Sequence, residues 1–497
     1  MKSYLVRAGA CALLVTSLYG SSPAFWELSS YSEFLKGKFE HVALSRDGVL
    51  TVAPALDLVF STGQAYLWSL ARSPDGTIYA GTGNHGRLYR VDNAGKGEVI
   101  WTAPQPEIFA VAAASDGVVY AGTSPNGRIF RIENGRAAEY FDPKATYIWA
   151  LAIGRDGALY AGTGGEGKVF RITAAGQGEE YFATGQTNVT GLAVARDGSL
   201  LAGTEPNGVL YRITAKAKAF AVYDSNLPEI RAMAEAADGS VYAAGLGGAV
   251  AKKAQSATQG APAGTDIPAV TTSITVTASA AAAGEIKPPE PAKAAAAPAT
   301  QPAVLAAAPA VEVTGVERSA IYQIHPDNTV ETLWSSKEEN VYDMLPGAGG
   351  LLFATDLGHI YRLDQKRRIT LVVQTGEGDL NRLFRDGAGV LAAAGSGGKL
   401  YRLADRPRTA GGTYESPVFD AGAPARWGHI RRSGAGAVNL WTRSGNSLRP
   451  DRTWSDWSPV KPDWSVTSPN SRYLAWKAEL PAGATVESIA VGYLPQN

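Results

Sequence analysis

An all-β fold, built from repeated four-stranded units and completed by a second β domain, is predicted by three features of this 497-residue sequence. Gly (56), Tyr (21) and Trp (11) are abundant, as in turn-rich β proteins. Asp-Gly pairs recur at almost constant spacing, and the segments between them alternate in polarity without a helical stretch. These features predict a seven-bladed β-propeller with a disordered insertion in blade five, followed by a small β-sandwich.

The charge balance excludes one class of partner. Lys plus Arg and Asp plus Glu both number 46, so the formal net charge is zero. A nucleic-acid binder needs an excess of basic residues, and we therefore expect no nucleic-acid partner.

The first 24 residues are predicted to be a secretory signal. Lys2 and Arg7 form a positive start, residues 8–18 are apolar, and Ser22-Pro23-Ala24 offers a small-residue cleavage site. An uncleaved anchor is the alternative. Cys11 is the only cysteine and lies in this segment, so the mature chain would have no disulfide and no cysteine-bound metal. We expect a secreted or periplasmic protein with no membrane span after cleavage.

The repeat is visible in the Asp-Gly turns. Their spacings are 41, 40, 41 and 41 residues, and their aspartates are Asp75, Asp116, Asp156, Asp197 and Asp238. Each unit is predicted to contain, in order, an apolar strand, the Asp-Gly turn, an Ala-Gly strand, a Gly-rich turn, a strand of the Leu-Tyr-Arg type and a fourth strand with a weaker pattern. Four strands per unit are typical of a propeller blade.

The fifth unit is interrupted after its second strand. An Ala/Pro-rich segment, residues 252–317, lacks the alternation of a packed domain and is predicted to be a disordered insert. The third strand resumes near Ser319, and two further units follow. The count becomes seven blades over residues 60–405.

Two flanking segments depart from the repeat. Residues 25–59 carry one further Asp-Gly turn, and the stretch 39–54 within them is predicted to supply strands that close the ring. Residues 406–497 lose the period and gain tryptophans, which indicates a separate β-sandwich.

The repeat unit DGTIYAGTGNHGRLYRVD (residues 75–92) resembles the propeller repeat of bacterial two-component sensor ectodomains and, more loosely, NHL-type and WD-type repeats. Those sensors continue into a membrane span and a kinase, which are not found here. Trp454-Ser455-Asp456-Trp457-Ser458 resembles the WSxWS motif of fibronectin-type domains in cytokine receptors. This second resemblance implies a fibronectin-like sandwich.

The Gly-rich loops between strands two and three are predicted to share one face of the propeller with the starts of the first strands. The insert of blade five replaces one of these loops and should emerge at the same face. Polar and aromatic residues occupy the first and third positions of the first strands, as in a ligand-facing ring. The candidate residues are Tyr66, Trp68, Glu107, Phe109, Tyr147, Trp149, Asn188, Glu229, Arg231, Asn340, Tyr342 and Asp379.

Five of these residues are oxygen donors of the kind that Ca²⁺ prefers, namely Glu107, Asn188, Glu229, Asn340 and Asp379. Calcium-dependent gluconolactonase-like propellers place Glu, Asn and Asp similarly, so the resemblance implies a lactonase-like hydrolase as the enzyme alternative. The same positions can instead simply fill the channel. With five histidines and no G-x-S-x-G, Walker or H-E-x-x-H motif, other catalytic classes are disfavoured.

Two further sets of residues are predicted to be structural. An arginine follows the aromatic residue of strand three in six units and is expected to pair with an acid or carbonyl between blades. Trp454 and Trp457 are expected to stack with Arg443 or Arg472.

The predicted function is non-catalytic binding or scaffolding, without a cofactor. The partner would be a protein, a glycan or a small ligand held at the channel face that carries the insert. Two alternatives stay open, the Ca²⁺-dependent hydrolase and a propeller that only displays a recognising C-terminal sandwich.

Overall fold

The computed structural model describes residues 22–115, 117–247, 317–387 and 389–496. The predicted signal, with Cys11, lies outside the described residues except for its last three positions. The predicted insert also lies outside them, apart from Glu317. Over the described ranges the chain forms 39 β-strands and one short helix, so the all-β prediction is confirmed.

The N-terminal segment forms five strands and the helix. They are β1 (Ala24–Leu28), α1 (Tyr31–Phe34), β2 (Lys38–Glu40), β3 (Val42–Ser45), β4 (Leu50–Val52) and β5 (Pro54–Ser61).

The first four repeats each form an antiparallel meander of four strands. The strands are β6 (Leu67–Arg72), β7 (Ile78–Thr82), β8 (Arg87–Val91) and β9 (Gly97–Thr102); β10 (Glu107–Ala113), β11 (Val119–Ser124), β12 (Gly127–Glu133) and β13 (Arg136–Ala145); β14 (Tyr147–Ile153), β15 (Leu159–Gly164), β16 (Lys168–Ala174) and β17 (Gln177–Ala183); β18 (Asn188–Val194), β19 (Leu200–Glu205), β20 (Val209–Ala215) and β21 (Lys218–Asp224). One bridge, Gly164 to Asn188, joins the third meander to the fourth.

The later repeats continue the pattern. Their strands are β22 (Glu229–Glu235), β23 (Val241–Leu246), β24 (Ser319–Ile324) and β25 (Val330–Ser336); β26 (Val341–Gly347), β27 (Gly350–Thr355), β28 (His359–Leu363) and β29 (Ile369–Gln374); β30 (Leu380–Asp386), β31 (Gly389–Ala394) and β32 (Lys399–Pro407). Leu246 of β23 pairs with Ser319 of β24, so the third strand of the fifth unit resumes where the sequence predicted it.

The last meander obtains its fourth strand from the N-terminal segment. Strand β5 pairs antiparallel with β32, with Leu58 opposite Tyr401 and Ser61 opposite Lys399. The N-terminal strand that completes the last meander is therefore β5. Only its first residue, Pro54, lies within the stretch 39–54 that was predicted to close the ring. Strands β3 and β4 instead extend the outer edge of β29, where Ser45 lies opposite Thr370.

The first strands of the meanders contact one another in a closed series. Each contacts the next, and the last contacts the first again, in the order β6, β10, β14, β18, β22, β26, β30. The glycine of the repeated Ala-Gly-Thr strand permits this approach. A Cβ atom on Gly122 would lie 2.4 Å from Cγ2 of Ile148, and one on Gly162 would lie 2.8 Å from Cγ1 of Val189. Apolar clusters fill the space between neighbouring sheets, as expected of propeller-like blades.

The C-terminal segment forms a further sheet. Its strands are β33 (Gly412–Glu415), β34 (Phe419–Ser433), β35 (Asn439–Gly445), β36 (Ser458–Pro459), β37 (Ser471–Leu480), β38 (Thr485–Val486) and β39 (Ser488–Pro495). The order β1-β39-β34-β37-β33-β2 shows that the first N-terminal strands belong to it. Strand β38 pairs with β4, and one continuous apolar core joins this sheet to the propeller.

Candidate functional site

The predicted candidate residues lie at the starts of the first strands, beside the loops between strands two and three. The backbone N–H of Asn84, in such a loop, donates to Oε1 of Glu107 over 3.2 Å. The N–H of Ser396 donates to Oδ1 of Asp379 over 2.7 Å. Loops and strand starts therefore share one face of the ring, and we call this face the mouth.

Five of the candidates form a continuous wall of aromatic rings at the mouth. Tyr66 stacks on Trp68 with ring centres 4.9 Å apart, and Tyr147 stacks on Trp149 at 4.8 Å. Phe109 joins the two pairs, with its ring centre 5.6 Å from that of Trp68 and 4.9 Å from that of Trp149. We call Tyr66, Trp68, Phe109, Trp149 and Tyr147 the aromatic arc.

Each indole of the aromatic arc is held by the first residue of a following meander. Nε1 of Trp68 donates to Oε2 of Glu107 over 2.5 Å, and Nε1 of Trp149 donates to Oδ1 of Asn188 over 3.0 Å. A loop glycine makes room for each ring, since a Cβ on Gly164 would lie 2.3 Å from Nε1 of Trp149. These bonds fix the orientation of the two indole rings.

The five predicted calcium ligands are bound to different neighbours. Glu107 and Asn188 accept from the two indoles, and Asp379 accepts from Ser396. The Nδ2 group of Asn340 donates to Asp356 over 2.8 Å. Among the residues that the structure describes, no three Asp, Glu, His or Cys side chains form a group that could hold a metal ion.

Glu229 is the most strongly perturbed of these five. Its side chain is 1% exposed, and burial raises its pKa to about 7 against the opposing effect of Arg231, whose Nη1 lies 3.6 Å from Oε1. Its Oε2 has no hydrogen-bond partner among the described residues. Glu205, which accepts from Nδ2 of Asn188 over 3.0 Å, also has a pKa raised by burial.

The third position of the first strands differs between meanders beyond the aromatic arc. Oγ1 of Thr190 donates to the carbonyl of Ile230 over 2.6 Å, which links neighbouring strands. Nδ2 of Asn381 donates to the carbonyl of Leu67 over 2.5 Å and does the same. Tyr342 is buried, and this burial raises its pKa.

Beneath the mouth, the first strands enclose a cavity of about 460 Å³. Small and aliphatic side chains make up most of its wall, and Trp149 contributes to it. Its charged lining residues are Arg72, Arg231, Asp343 and Arg382. Arg72 donates to Asp386 over 3.1 Å, so its charge is paired.

Asp343 and Arg382 are not among the residues predicted from the sequence to face a ligand. The fourth position of the first strand is small or short in the other meanders, with Ser69, Ala110, Ala150, Gly191 and Ala232. A carboxylate and a guanidinium at the same position of the last two meanders break this pattern. That break was visible in the aligned repeats and was the signal that would have found them.

The arginines of the third strands differ in part from the prediction. Arg171 donates to Asp156 over 2.7 Å, and Arg402 donates to Asp386 over 2.6 Å. Both acids belong to the turn of the same meander, so these pairs brace a single sheet. Arg212 also reaches the next meander, where its Nη2 lies 3.7 Å from Oε1 of Glu235.

The C-terminal tryptophans form the predicted stack around Arg443. Its guanidinium carbon lies 4.4 Å from the ring centre of Trp457 and 5.7 Å from that of Trp454. Nζ of Lys477 then lies between Trp457 and Trp441, at 5.1 and 5.3 Å. Arg472 instead pairs with Asp420 over 2.7 Å.

No helix within the described residues is long and apolar enough to cross a membrane. No protein-family model matches the chain, and no curated protein is significantly similar to it in sequence.

Solved structures resemble the chain in fold. Virginiamycin B lyase from Staphylococcus aureus is 15% identical with a TM-score of 0.49, and the match covers 70% of this chain and 99% of the lyase. The extracellular domain of a putative one component system from B. thetaiotaomicron is 11% identical with a TM-score of 0.46, covering 78% of this chain and 42% of that chain. The WD40 propeller domain of Doa1 is 11% identical with a TM-score of 0.45, covering 71% and 95%. The propeller-like arrangement of the chain itself is shown by its four-stranded sheets and by the closed series of first strands.

Proposed function

We propose that this protein is an exported, non-catalytic binding protein that holds its ligand at the mouth of the propeller. The observation that carries the proposal is the aromatic arc, whose five rings are pre-positioned above a cavity with charged walls. Apolar concave surfaces with a few fixed polar groups are the usual form of a ligand site. The proposed partner is a protein, a glycan or a small ligand.

The proposal includes an architecture of seven blades. The closed series of first strands and the pairing of β5 with β32 support this number. Since Leu246 and Ser319 pair at the mouth end of their strands, the chain leaves and re-enters the fifth blade at the same face as the aromatic arc.

The proposal further includes a fibronectin-like C-terminal sandwich that supports the ring. Trp476 and Tyr414 are fully buried in it, as core residues of a packed β domain are. The stacked Trp454, Arg443 and Trp457 are accounted for by packing within this domain. We therefore assign recognition to the propeller and location to the periplasm or the exterior of the cell.

A calcium-dependent hydrolase is the competing function. It needs several oxygen donors at roughly 2.3–2.6 Å from one ion. Glu107, Asn188 and Asp379 instead each satisfy a separate indole or backbone N–H. No observation favours the hydrolase over a binding protein.

The test compares the wild type with a Tyr66→Ala/Tyr147→Ala variant on glycan and peptide arrays and in a thermal-shift screen of small metabolites. Neither tyrosine hydroxyl makes a hydrogen bond to a described residue, so the variant should fold. We expect the wild type to bind one ligand class and the variant to lose at least about tenfold in affinity, or roughly 1.4 kcal/mol. Phe220→Ala, which removes an exposed ring on the outer strand β21, is the control and should bind normally.

Two outcomes contradict this function. Equal binding by the Tyr66→Ala/Tyr147→Ala variant would remove the mouth as the site. Calorimetry with CaCl₂ supplies the second, because one-site binding abolished by Glu107→Gln or Asp379→Asn would replace the binding protein by the hydrolase.

A further inference from the structure

We propose that the cavity beneath the mouth binds the carboxylate of a small organic acid between Arg231 and Arg382. This inference rests on the proposed function, because it names the chemical class of the ligand held there. Both guanidinium groups belong to first strands, β22 and β30, and both line the same cavity.

The guanidinium of Arg382 makes no direct polar contact with a described side chain or carbonyl group. Among the described residues, no acceptor forms a hydrogen bond with its guanidinium and no carboxylate lies within 4.0 Å of it. Burial lowers the pKa of Arg382, and the like charge of Arg231 lowers it further, against the opposing effect of Asp343. A guanidinium nevertheless remains charged in a protein, so the charge stays in place.

The one carboxylate on the cavity wall is already engaged. Oδ1 of Asp343 accepts from the N–H of Met344 over 2.9 Å, and Oδ2 accepts from the N–H of Leu383 over 2.7 Å. Asp343 thus holds neighbouring strands together and balances at most one of the two guanidinium charges. Glu229 lies beside Arg231, but because burial raises its pKa to about 7 it is only partly ionised at neutral pH and offsets the charge of Arg231 only in part.

The charges on the cavity wall do not cancel one another. Arg231 and Arg382 supply two positive charges, which Asp343 and Glu229 balance only in part because burial raises the pKa of both carboxyl groups. Both arginines are only partly exposed, so a positive charge that lacks a full counter-charge attracts an anion more strongly there than in open water. One carboxylate group supplies such a negative charge.

The cavity favours a small organic acid. A cavity of about 460 Å³ has the volume of a small-molecule site, and the ring of Trp149 on its wall offers an apolar contact. A planar carboxylate matches the fork of a guanidinium in geometry. An acid with a ring or short chain would place its carboxylate at the two arginines and its body against Trp149.

The experiment measures binding of phenylacetate to the full chain by calorimetry and thermal shift. Phenylacetamide is the uncharged counterpart, and inorganic phosphate is the competing anion. We expect phenylacetate to bind and to raise the melting temperature, with little response to either of the others. Arg382→Gln should weaken phenylacetate binding at least about tenfold, equal to roughly 1.4 kcal/mol.

Matched variants separate charge from folding. Arg385→Gln, on the same strand but exposed at the opposite end, should bind phenylacetate like the wild type. If Arg382→Gln fails to fold, Arg231→Gln serves in its place. Arg382→Lys keeps the charge without the fork and should bind with intermediate affinity.

Three results would overturn the inference. They are equal binding of phenylacetamide, equal binding by Arg382→Gln, and no binding of phenylacetate, benzoate or acetate at millimolar concentration. Stronger binding of phosphate would replace the carboxylate by a phosphate ligand. The array experiment with Tyr66→Ala/Tyr147→Ala tests different residues from the phenylacetate experiment. If phenylacetate does not bind, the mouth can still be a binding site. If the array experiment fails, the proposed function fails independently of the carboxylate site.

Discussion

Burial of Glu229 makes the free energy of unfolding depend on pH. Its carboxyl is buried with one oxygen unpartnered, which favours the neutral form and raises its pKa to about 7. The folded chain therefore keeps a proton that the unfolded chain loses near pH 4.5. The stability that this group contributes is complete below about pH 4.5 and is lost as the pH rises to about 7.

Glu229→Gln should remove this part of the pH dependence, because an amide imitates the neutral acid. Between pH 5 and pH 8, we expect the wild type to lose on the order of 2 kcal/mol of unfolding free energy relative to the variant. Urea unfolding at a series of pH values measures the difference. Glu338→Gln, an exposed control, should follow the wild type. Parallel pH profiles for wild type and Glu229→Gln would show that the carboxyl is ionised throughout.

Which candidate side chains would meet was only partly visible in the sequence. The aromatic arc follows from residue type at a fixed repeat position, and the sequence placed all five rings on one face. The hydrogen bonds from Trp68 to Glu107 and from Trp149 to Asn188 depend on the rotation from one blade to the next. A repeat alignment treats each blade alone and cannot show that rotation.

Among the strands, the repeated Ala-Gly-Thr segment sets the distance between neighbouring sheets. Gly122 lies in β11 directly against Ile148 of β14. A Cβ on Gly122 would approach Cγ2 of Ile148 to 2.4 Å, closer than side-chain carbons pack. The glycine is therefore required by the neighbouring sheet rather than by its own backbone conformation.

Gly122→Ala should destabilise the propeller by about 1–3 kcal/mol through overpacking. The double variant Gly122→Ala/Ile148→Ala should recover part of the loss relative to the sum of the single variants, since the new methyl fills the space that Ile148 vacates. Thermal unfolding of the set measures this coupling. Gly349→Ala, where a Cβ meets nothing within 4 Å, is the control. Strictly additive effects would show that the two residues do not compete for one space.

Strand assignment was predictable from the sequence for the regular repeats, since Asp-Gly turns and alternating apolar residues mark their hairpins locally. The location of β24 after the long interruption was also correct, because its Ile-Tyr pattern matches the other third strands. The partners of β1 to β4 were not predictable. Apart from the local hairpin of β3 with β4, their hydrogen bonds go to β39, β33, β29 and β38, which lie more than 300 residues away, and no local pattern records such pairing.

The molecule as a whole is held closed by the seam between β5 and β32. Replacing Ser61 and Lys399, which face each other across it, by cysteine in a Cys11→Ser background should allow a disulfide. The oxidised protein should be stabilised by at most about 5 kcal/mol, because the bond closes a very long loop. Melting with and without reductant, with each single cysteine as the control, measures the effect. Failure to cross-link would show that the ring closes elsewhere.

The pairing of β5 with β32 also limits when the newly made chain can complete its fold. Strand β5 is synthesised some 340 residues before its partner β32, because Ser61 pairs with Lys399. Throughout this interval β5 lacks the only strand with which it pairs in the described structure, and unpaired strands and contacts remote in sequence favour aggregation and slow folding. The last four-stranded sheet can therefore be completed only after most of the polypeptide has been made.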